Sequence, residues 1–196
     1  MFFPACSEPV DVVFGIPTSE NIPADLFASM KKFISQTVNS FDVGPMKMHV
    51  GLVTYSNKAS TELKINQLDS KDLIKELMNG LTQQGTEVNV VSALDEAAHL
   101  TFTIFGGVRQ PSPKAFVLLV PEGSVNSRQE ILSAAGRLKS LGVRLITVAV
   151  GGSVDQNLYE LASTQPPSKF FYNVSDHNAL NSKSRNVADV VCKGNL

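Results

Sequence analysis

The sequence lacks an excess of positive charge. Its 196 residues contain 17 lysines and arginines against 18 aspartates and glutamates, which gives a formal net charge of −1. Proteins that bind nucleic acids neutralise phosphates with a stripe or patch of basic side chains. No such stripe is present, so we exclude nucleic acid as a partner.

Long apolar runs are also missing. No stretch approaches the roughly 20 apolar residues that a helix needs to span a bilayer, and the opening Met1, Phe2 and Phe3 are too short for a signal peptide. The sequence shows no internal repeat and no low-complexity segment. A composition of 43% hydrophobic and 18% charged residues is ordinary for one α/β domain. We expect one soluble domain, without membrane insertion, from a larger secreted chain.

Glycine is missing where a nucleotide-binding protein needs it. The turn that follows the first predicted strand reads PTSEN at residues 17–21, whereas phosphate binding requires glycines that let the ligand approach the backbone. Ser124 follows Gly123 but lacks the second glycine of a nucleophile elbow. We assign structural or surface roles to the histidines, which are His49, His99 and His177. The sequence therefore predicts no enzyme, no cofactor and no small-molecule substrate.

Cysteine is scarce, and its placement is informative. Cys6 and Cys192 bracket almost the whole chain. Chain ends often lie close together in doubly wound α/β domains, so a disulfide is geometrically plausible and would contribute roughly 5 kcal/mol by the chain-entropy model. Two unrelated thiols are the alternative. A disulfide indicates an oxidising, extracellular setting, and the glycosylation sequon that begins at Asn173 fits a secreted protein.

What the sequence does contain is a regular alternation of strands and helices. Residues 10–16 are β-branched and apolar, Pro17 ends the run, residues 18–21 form a polar loop, and a helix opens near Pro23. Further strands are predicted at residues 48–55, 61–65, 115–120, 143–150 and 170–172. Helices are predicted near residues 69–78, 91–102, 128–141, 158–161 and 176–192. In such open sheets, ligands bind outside the carboxyl ends of the strands.

One predicted strand must be antiparallel. The strand at residues 61–65 follows its predecessor after only a short turn, at residues 56–60, and a parallel crossover needs a dozen or more residues. We therefore predict a doubly wound, mostly parallel sheet of six strands, with one antiparallel edge strand and helices on both faces.

Five segments resemble one family across residues 10–191, with residues 1–9 and 192–196 left as flanks that carry Cys6 and Cys192. The segments are DVVFGIPTSENI, VGLVTYSNKASTEL, QQGTEVNVVSALDEA, FVLLVPEGS and GVRLITVAVGG. They resemble the von Willebrand factor A domains. Within that family, the SALDEA segment and the flanking cysteines look most like the A domains of collagen VI, in the amino-terminal part of its α3 chain. Matrilin-type domains are the alternative.

The resemblance implies a metal-ion-dependent adhesion site above the sheet. In the intact family motif, two serines and a threonine coordinate Mg²⁺, two aspartates act directly or through water, and a partner's carboxylate completes the shell. Mg²⁺ requires near-octahedral oxygen ligands. This sequence keeps one serine of the motif and departs at the other positions. The corresponding residues are Pro17 for the first aspartate, Ser19 and Asn21 for the serines, Val88 beside Thr86 for the threonine, and Glu122 for the last aspartate.

These departures predict a degenerate site and no bound metal. We expect a non-catalytic module of the extracellular matrix that binds other matrix proteins or neighbouring A domains, as in collagen VI microfibril assembly. Its candidate contact face consists of Thr18, Ser19, Glu20, Asn21, Glu87, Glu122 and Ser124. A Mg²⁺-dependent, integrin-type adhesion domain that uses Ser19, Thr86 and Glu122 is the alternative. A purely structural role is also open, with Ser19 and Asn21 as turn and N-cap residues and Glu122 as a solvated charge.

Overall fold

The computed structural model describes residues 8–193. Its six strands are β1 (Asp11–Pro17), β2 (His49–Tyr55), β3 (Ala59–Leu63), β4 (Lys114–Pro121), β5 (Val143–Val150) and β6 (Phe171–Val174). The α-helices are α1 (Ala24–Asn39), α2 (Lys71–Gly80), α3 (Val90–Glu96), α4 (Arg128–Ser140), α5 (Gln156–Ala162), α6 (Pro167–Phe170), α7 (His177–Leu180) and α8 (Ser184–Lys193). A π-helical turn follows α3, and two short 3₁₀ turns lie at Ile104–Gly106 and Asn181–Lys183.

The six strands form one sheet in the order β3-β2-β1-β4-β5-β6. β1 pairs in parallel with β2 on one side and with β4 on the other, whereas β3 runs antiparallel to β2. The strand order reverses between β1 and β4, which makes this the topological switch point where open α/β sheets bind ligands. The predicted fold class is confirmed.

Both faces of the central sheet are covered by helices. All seven residues of β1 and of β2 are buried, and successive residues of a strand point to opposite faces. Helix α1 packs with α7 and α8, while α3, α4 and α5 form a second group. Continuous apolar runs are typical of parallel strands that are enclosed in this way.

The predicted edge strand and the helix predicted at residues 91–102 differ from the structure in their bounds or geometry. The edge strand is Ala59–Leu63 rather than residues 61–65, because Ala59 pairs with Tyr55 across the tight turn, and the amide of Ile65 bonds Gly106 instead. The helix predicted at residues 91–102 leaves α geometry after Glu96 and continues as the π turn Ala97–Thr101.

The predicted terminal helix is also divided, and the helix predicted at residues 128–141 ends one residue early. Asp176 does begin the helical region, but α7 is followed by the 3₁₀ turn Asn181–Lys183 before α8 starts. Helix α4 ends at Ser140, and Leu141, just past its end, is 45% exposed. Periodicity therefore located these helices but did not fix their ends.

A buried ion pair anchors the start of β1. Asp11 is fully buried, and its carboxylate accepts bonds from the backbone N–H of Arg109 at 2.7 Å and from the Arg109 Nε at 2.8 Å. The guanidinium Nη2 lies 2.6 Å from the same carboxylate. This pair ties the loop before β4 to the opposite end of the sheet from the switch-point loops.

We expect Asp11→Ala to destabilise the fold by about 3–5 kcal/mol, because it removes one partner of a buried, hydrogen-bonded ion pair. Urea denaturation followed by circular dichroism measures the free energy of unfolding. Asp72→Ala is the matched control: it breaks the exposed pair with Lys75 and should cost only about 0–1 kcal/mol. Equal effects of the two substitutions would contradict a special role for Asp11.

Candidate functional site

The loops that follow four parallel strands gather at one edge of the sheet. β1 ends at Pro17, β4 at Pro121, β5 at Val150 and β6 at Val174. The segment at residues 83–89, which leads into α3, joins them there through hydrogen bonds to the loop after β1.

The first residues after β1 are buried rather than displayed. Thr18 and Ser19 are 1% and 0% exposed. The amide of Thr18 donates to the carbonyl of Tyr55 at 2.8 Å, and its carbonyl accepts from the amide of Gln84 at 2.7 Å. The Ser19 hydroxyl accepts from the amide of Asn21 at 3.2 Å, which closes a local turn.

Asn21 fastens this turn to the neighbouring loop. Its side-chain amide donates to the carbonyl of Thr86 at 2.5 Å, so it does not cap α1. The side-chain amide of Gln83 donates to the backbone carbonyls of both Ser19 and Ile22, each at 2.8 Å. The side-chain amide nitrogens of Asn21 and Gln83, together with the Ser19 hydroxyl, thus organise the backbone of this loop.

Glu122 and Val88 connect the remaining loops. The Glu122 carboxylate accepts from the amide of Ser153 at 2.7 Å, across the gap between the β4 and β5 ends. Gly151 permits this approach, because a Cβ there would lie 2.6 Å from the Glu122 side chain. Val88 is 5% exposed, and its carbonyl accepts from the amide of Val125 at 3.1 Å.

Together these loops enclose an open groove of about 800 Å³. Its floor and lower walls are apolar, formed by Ile22, Val88, Pro121 and Val150, with the 55% exposed side chain of Val125 at the side. Its walls are the first turn of α1, the start of α7 and the loops at residues 86–88 and 151–153. The volume lies within the range of small-ligand and peptide sites.

The upper edge of the groove is acidic. It carries four carboxylates, from Asp25, Glu87, Glu122 and Asp176, together with the imidazole of His177. The His177 Nε2 lies 3.6 Å from the Asp25 carboxylate. Among the described residues that line the groove there is no lysine and no arginine.

Hydrogen bonds at the start of α7 lower the pKa of Asp176. Its carboxylate caps α7, and the bonds that it accepts from the amides of Ala179 and Asn178 lower its pKa from the ordinary value. Because the folded-state pKa is depressed, this cap contributes stability at neutral pH that is lost as the pH falls through the depressed pKa.

The structure separates the sequence-predicted contact residues into four groups. Asn21, Glu87 and Glu122 line the groove, whereas Thr18 and Ser19 are buried beneath it. Glu20 is exposed on the same turn but does not line the groove. Ser124 faces a second cavity of about 270 Å³ beside Tyr159, whose pKa burial raises to about 12.

Sequence reasoning missed the wall formed by α1 and α7. Asp25, Asp176 and His177 line the groove but do not belong to the predicted contact face. The available signal was that Ser175 and Asp176 directly follow the last parallel strand, whose carboxyl end lies at the same edge as that of β1.

The other predicted special residues lie away from the groove. Asn173 is exposed on the edge strand β6. Cys192 is partly buried near the end of α8 and is not a free thiol. Cys6 lies outside the described residues, so the Cys6–Cys192 disulfide stays a prediction.

Residues 8–193 lack a metal cluster and a membrane-spanning helix. No three side chains among histidine, cysteine, aspartate and glutamate come close enough together in this range to hold a metal ion. In the same part of the chain, no helix has the length and apolar character needed to cross a membrane.

The fold and the loop cluster define a von Willebrand factor A domain. The model of the von Willebrand factor type A domain family matches residues 11–186. The chain therefore belongs to this family.

Its relatives include matrilins and collagens. The chain is 29% identical to matrilin-1 of Gallus gallus over 93% of its own length and 36% of the relative's. It is 32% identical to the collagen α-1(XX) chain of Homo sapiens, over 81% of its length and 12% of the relative's. It thus spans only about a third of the matrilin-1 relative.

Solved structures share the fold. The proximal thread matrix protein 1 of the mussel byssus, in a structure with a zinc-occupied metal-ion-dependent adhesion motif, matches with a TM-score of 0.85 and 21% identity. The match covers 95% of this chain and 49% of that one. The manganese-loaded TRAP protein of Plasmodium vivax matches with a TM-score of 0.71 and 17% identity, over 93% and 74%.

We expect Gly85→Ala to destabilise the domain by about 1–3 kcal/mol. Gly85 has a φ of +75°, and an added Cβ would lie 2.6 Å from the Asn57 Oδ1 that receives the Thr86 amide. Thermal unfolding measures the effect.

The matched control for this prediction is Gly136→Ala. Gly136 lies within α4, and nothing is within 4 Å of the position that an added methyl group would occupy. This substitution should stabilise the domain by about 0.4–1 kcal/mol. A neutral Gly85→Ala would show that the loop at residues 83–89 is not held as described.

Proposed function

We propose that this domain is a non-catalytic interaction module of an extracellular-matrix protein, and that it binds protein partners without a bridging metal ion. The proposal is carried by the residues at the positions of the family's adhesion motif, which either lack a side-chain oxygen or bond to neighbouring loops. Pro17 and Val88 have no side-chain oxygen, and the side chains of Ser19, Asn21 and Glu122 lie within a network that holds the loops together.

The residues present do not fit a hard dication. Mg²⁺ needs several oxygen ligands in near-octahedral geometry. Ser19 is fully buried beneath the turn, and its hydroxyl accepts from the Asn21 amide. Glu122 brings one carboxylate, which already accepts from the Ser153 amide. A metal at this place would have one hydroxyl and one carboxylate that already hold the loops together, and it would receive no side-chain oxygen from Pro17 or Val88.

The relatives support an extracellular-matrix setting. Matrilins and collagens recur among them, and a secreted module that contacts other matrix proteins or neighbouring A domains is consistent with these relatives. Placement in collagen VI, and a part in its microfibrils, has no support among them and stays a hypothesis. The domain limits at residues 10 and 191 are proposed from the extent of the family resemblance, and glycosylation of Asn173 is proposed from its sequon.

A Mg²⁺-dependent adhesion domain is the second candidate. It is favoured by the fold neighbour with a zinc-occupied adhesion motif. In this chain such a site would rest on Ser19, Thr86 and Glu122, and the loop network described above would have to open to form it.

We expect the domain to bind matrix deposited by cultured fibroblasts equally well in EDTA and in millimolar Mg²⁺. The melting temperature of EDTA-stripped protein should not change with Mg²⁺ or Mn²⁺, because the donors are missing. Binding at a hundredfold excess over Kd would contribute about 2.7 kcal/mol and raise the melting temperature by about 5–10 °C. Such a shift, abolished by Glu122→Ala, would establish the metal-dependent alternative; absent binding in both conditions would refute the interaction module.

The proposed Cys6–Cys192 disulfide has a separate test. The intact mass of protein purified under oxidising conditions should rise by about 2 Da on denaturation and reduction, because two hydrogens are added as one bond is broken. Cys192→Ser is the control and should abolish the rise. Equal masses before and after reduction would refute the disulfide.

A further inference from the structure

We infer that the groove at the carboxyl edge of the sheet takes an extended polypeptide segment that presents lysine or arginine side chains beside aliphatic ones. This inference rests on the proposed function and names the chemistry of the partner. It is carried by the combination of an apolar floor, an acidic upper edge and the absence of basic side chains among the described lining residues.

The carboxylates are spread around the opening instead of meeting at one point. Asp25 belongs to α1, Glu87 to the loop before α3, Glu122 to the end of β4 and Asp176 to the start of α7. No three of them gather closely enough to hold a metal ion within the described chain. Carboxylates that are distributed along a groove can each pair with a different cationic side chain of a bound polypeptide. They are too far apart to surround one compact ion.

The floor favours aliphatic side chains on the same segment. Ile22, Val88 and Val150 line the groove but are almost fully buried, so the apolar surface that a partner would cover belongs chiefly to Val125, which is 55% exposed. Covering apolar surface of this kind favours association. A partner with charged side chains alone would leave this apolar surface exposed to water. In an extended strand, alternate side chains point in opposite directions, so one set can contact the floor while the other contacts the acidic edge.

The charge also excludes other classes of partner. Sulfated polysaccharides and acidic peptides would face four carboxylates with no basic residue of the described lining to receive them. In a metal-dependent adhesion site, a bridging cation at this edge attracts a partner's carboxylate. Without a cation, the four carboxylates here would repel a partner's carboxylate.

The probe for the test is a fluorescein-labelled peptide of alternating lysine and leucine, titrated with the full chain in EDTA and followed by fluorescence anisotropy. Two matched peptides replace every lysine by glutamate or every leucine by serine. We expect saturable binding of the lysine–leucine peptide only. Its affinity should fall as salt rises past physiological strength, where the Debye length is about 8 Å.

Substitutions locate the binding. Glu87→Gln with Glu122→Gln should weaken the peptide roughly tenfold, at roughly threefold for each charge removed. Val125→Ser should weaken it as well. Glu76→Gln is the control, because Glu76 is exposed on α2 and does not line the groove. It removes one negative charge, as each of the two groove substitutions does. Equal weakening by Glu76→Gln, or tighter binding of the glutamate peptide, would overturn the inference.

Two further outcomes separate this inference from the proposed function. If the chain binds fibroblast matrix in EDTA but the lysine–leucine peptide does not compete, the groove assignment fails while the interaction module stands. If the peptide binds and the matrix does not, the proposed function fails alone. A dimer in solution that dissociates in the Glu87→Gln, Glu122→Gln protein would assign the groove to a second copy of the chain and overturn a basic partner.

Discussion

The complete burial of β1 is the constraint on which the rest of the structure depends. Its seven residues have no exposed face, and β2 and β4 pair with it on both sides. Parallel pairing places the carboxyl ends of its neighbours at one edge, and right-handed crossovers send the helices over both faces. The loop after Pro17 is therefore delivered to a fixed point, where the Thr18 amide meets the Tyr55 carbonyl. The groove follows from this placement.

Most of the sheet was predictable because enclosed parallel strands are continuously apolar. Strands β4 and β5 are almost entirely buried on both faces, so their apolar runs were recognisable in the sequence. The short turn after β2 required β3 to be antiparallel. The displacement of β3 by two residues shows the limit. Alternation reports a period, but the pairing of Tyr55 with Ala59 is set by the turn.

The site was predictable in the loops that the family resemblance places at this edge. Asn21, Glu87 and Glu122 were predicted there and line the groove. Asp25 and His177 were not, because they meet through the packing of α1 against α7, which is tertiary information. The burial of Thr18 and Ser19 was hidden for a related reason. Polar loop residues are usually exposed, but the backbone groups of these two bond to Tyr55, Gln84 and Gln83.

Shape and charge at this edge have different origins. The groove's shape comes from the strand ends, from the first turns of α1 and α7, and from the loops at residues 86–88 and 151–153. Its preference for a partner depends on a few side chains. An aspartate at position 17 and a threonine at position 88 would supply oxygens toward a cation, whereas Pro17 and Val88 have no side-chain oxygen. In the proposed metal-free module, no cation offsets the charges of Glu87, Glu122, Asp25 and Asp176 around the groove. Under that proposal the edge would favour a cationic partner, although its geometry is that of the family fold.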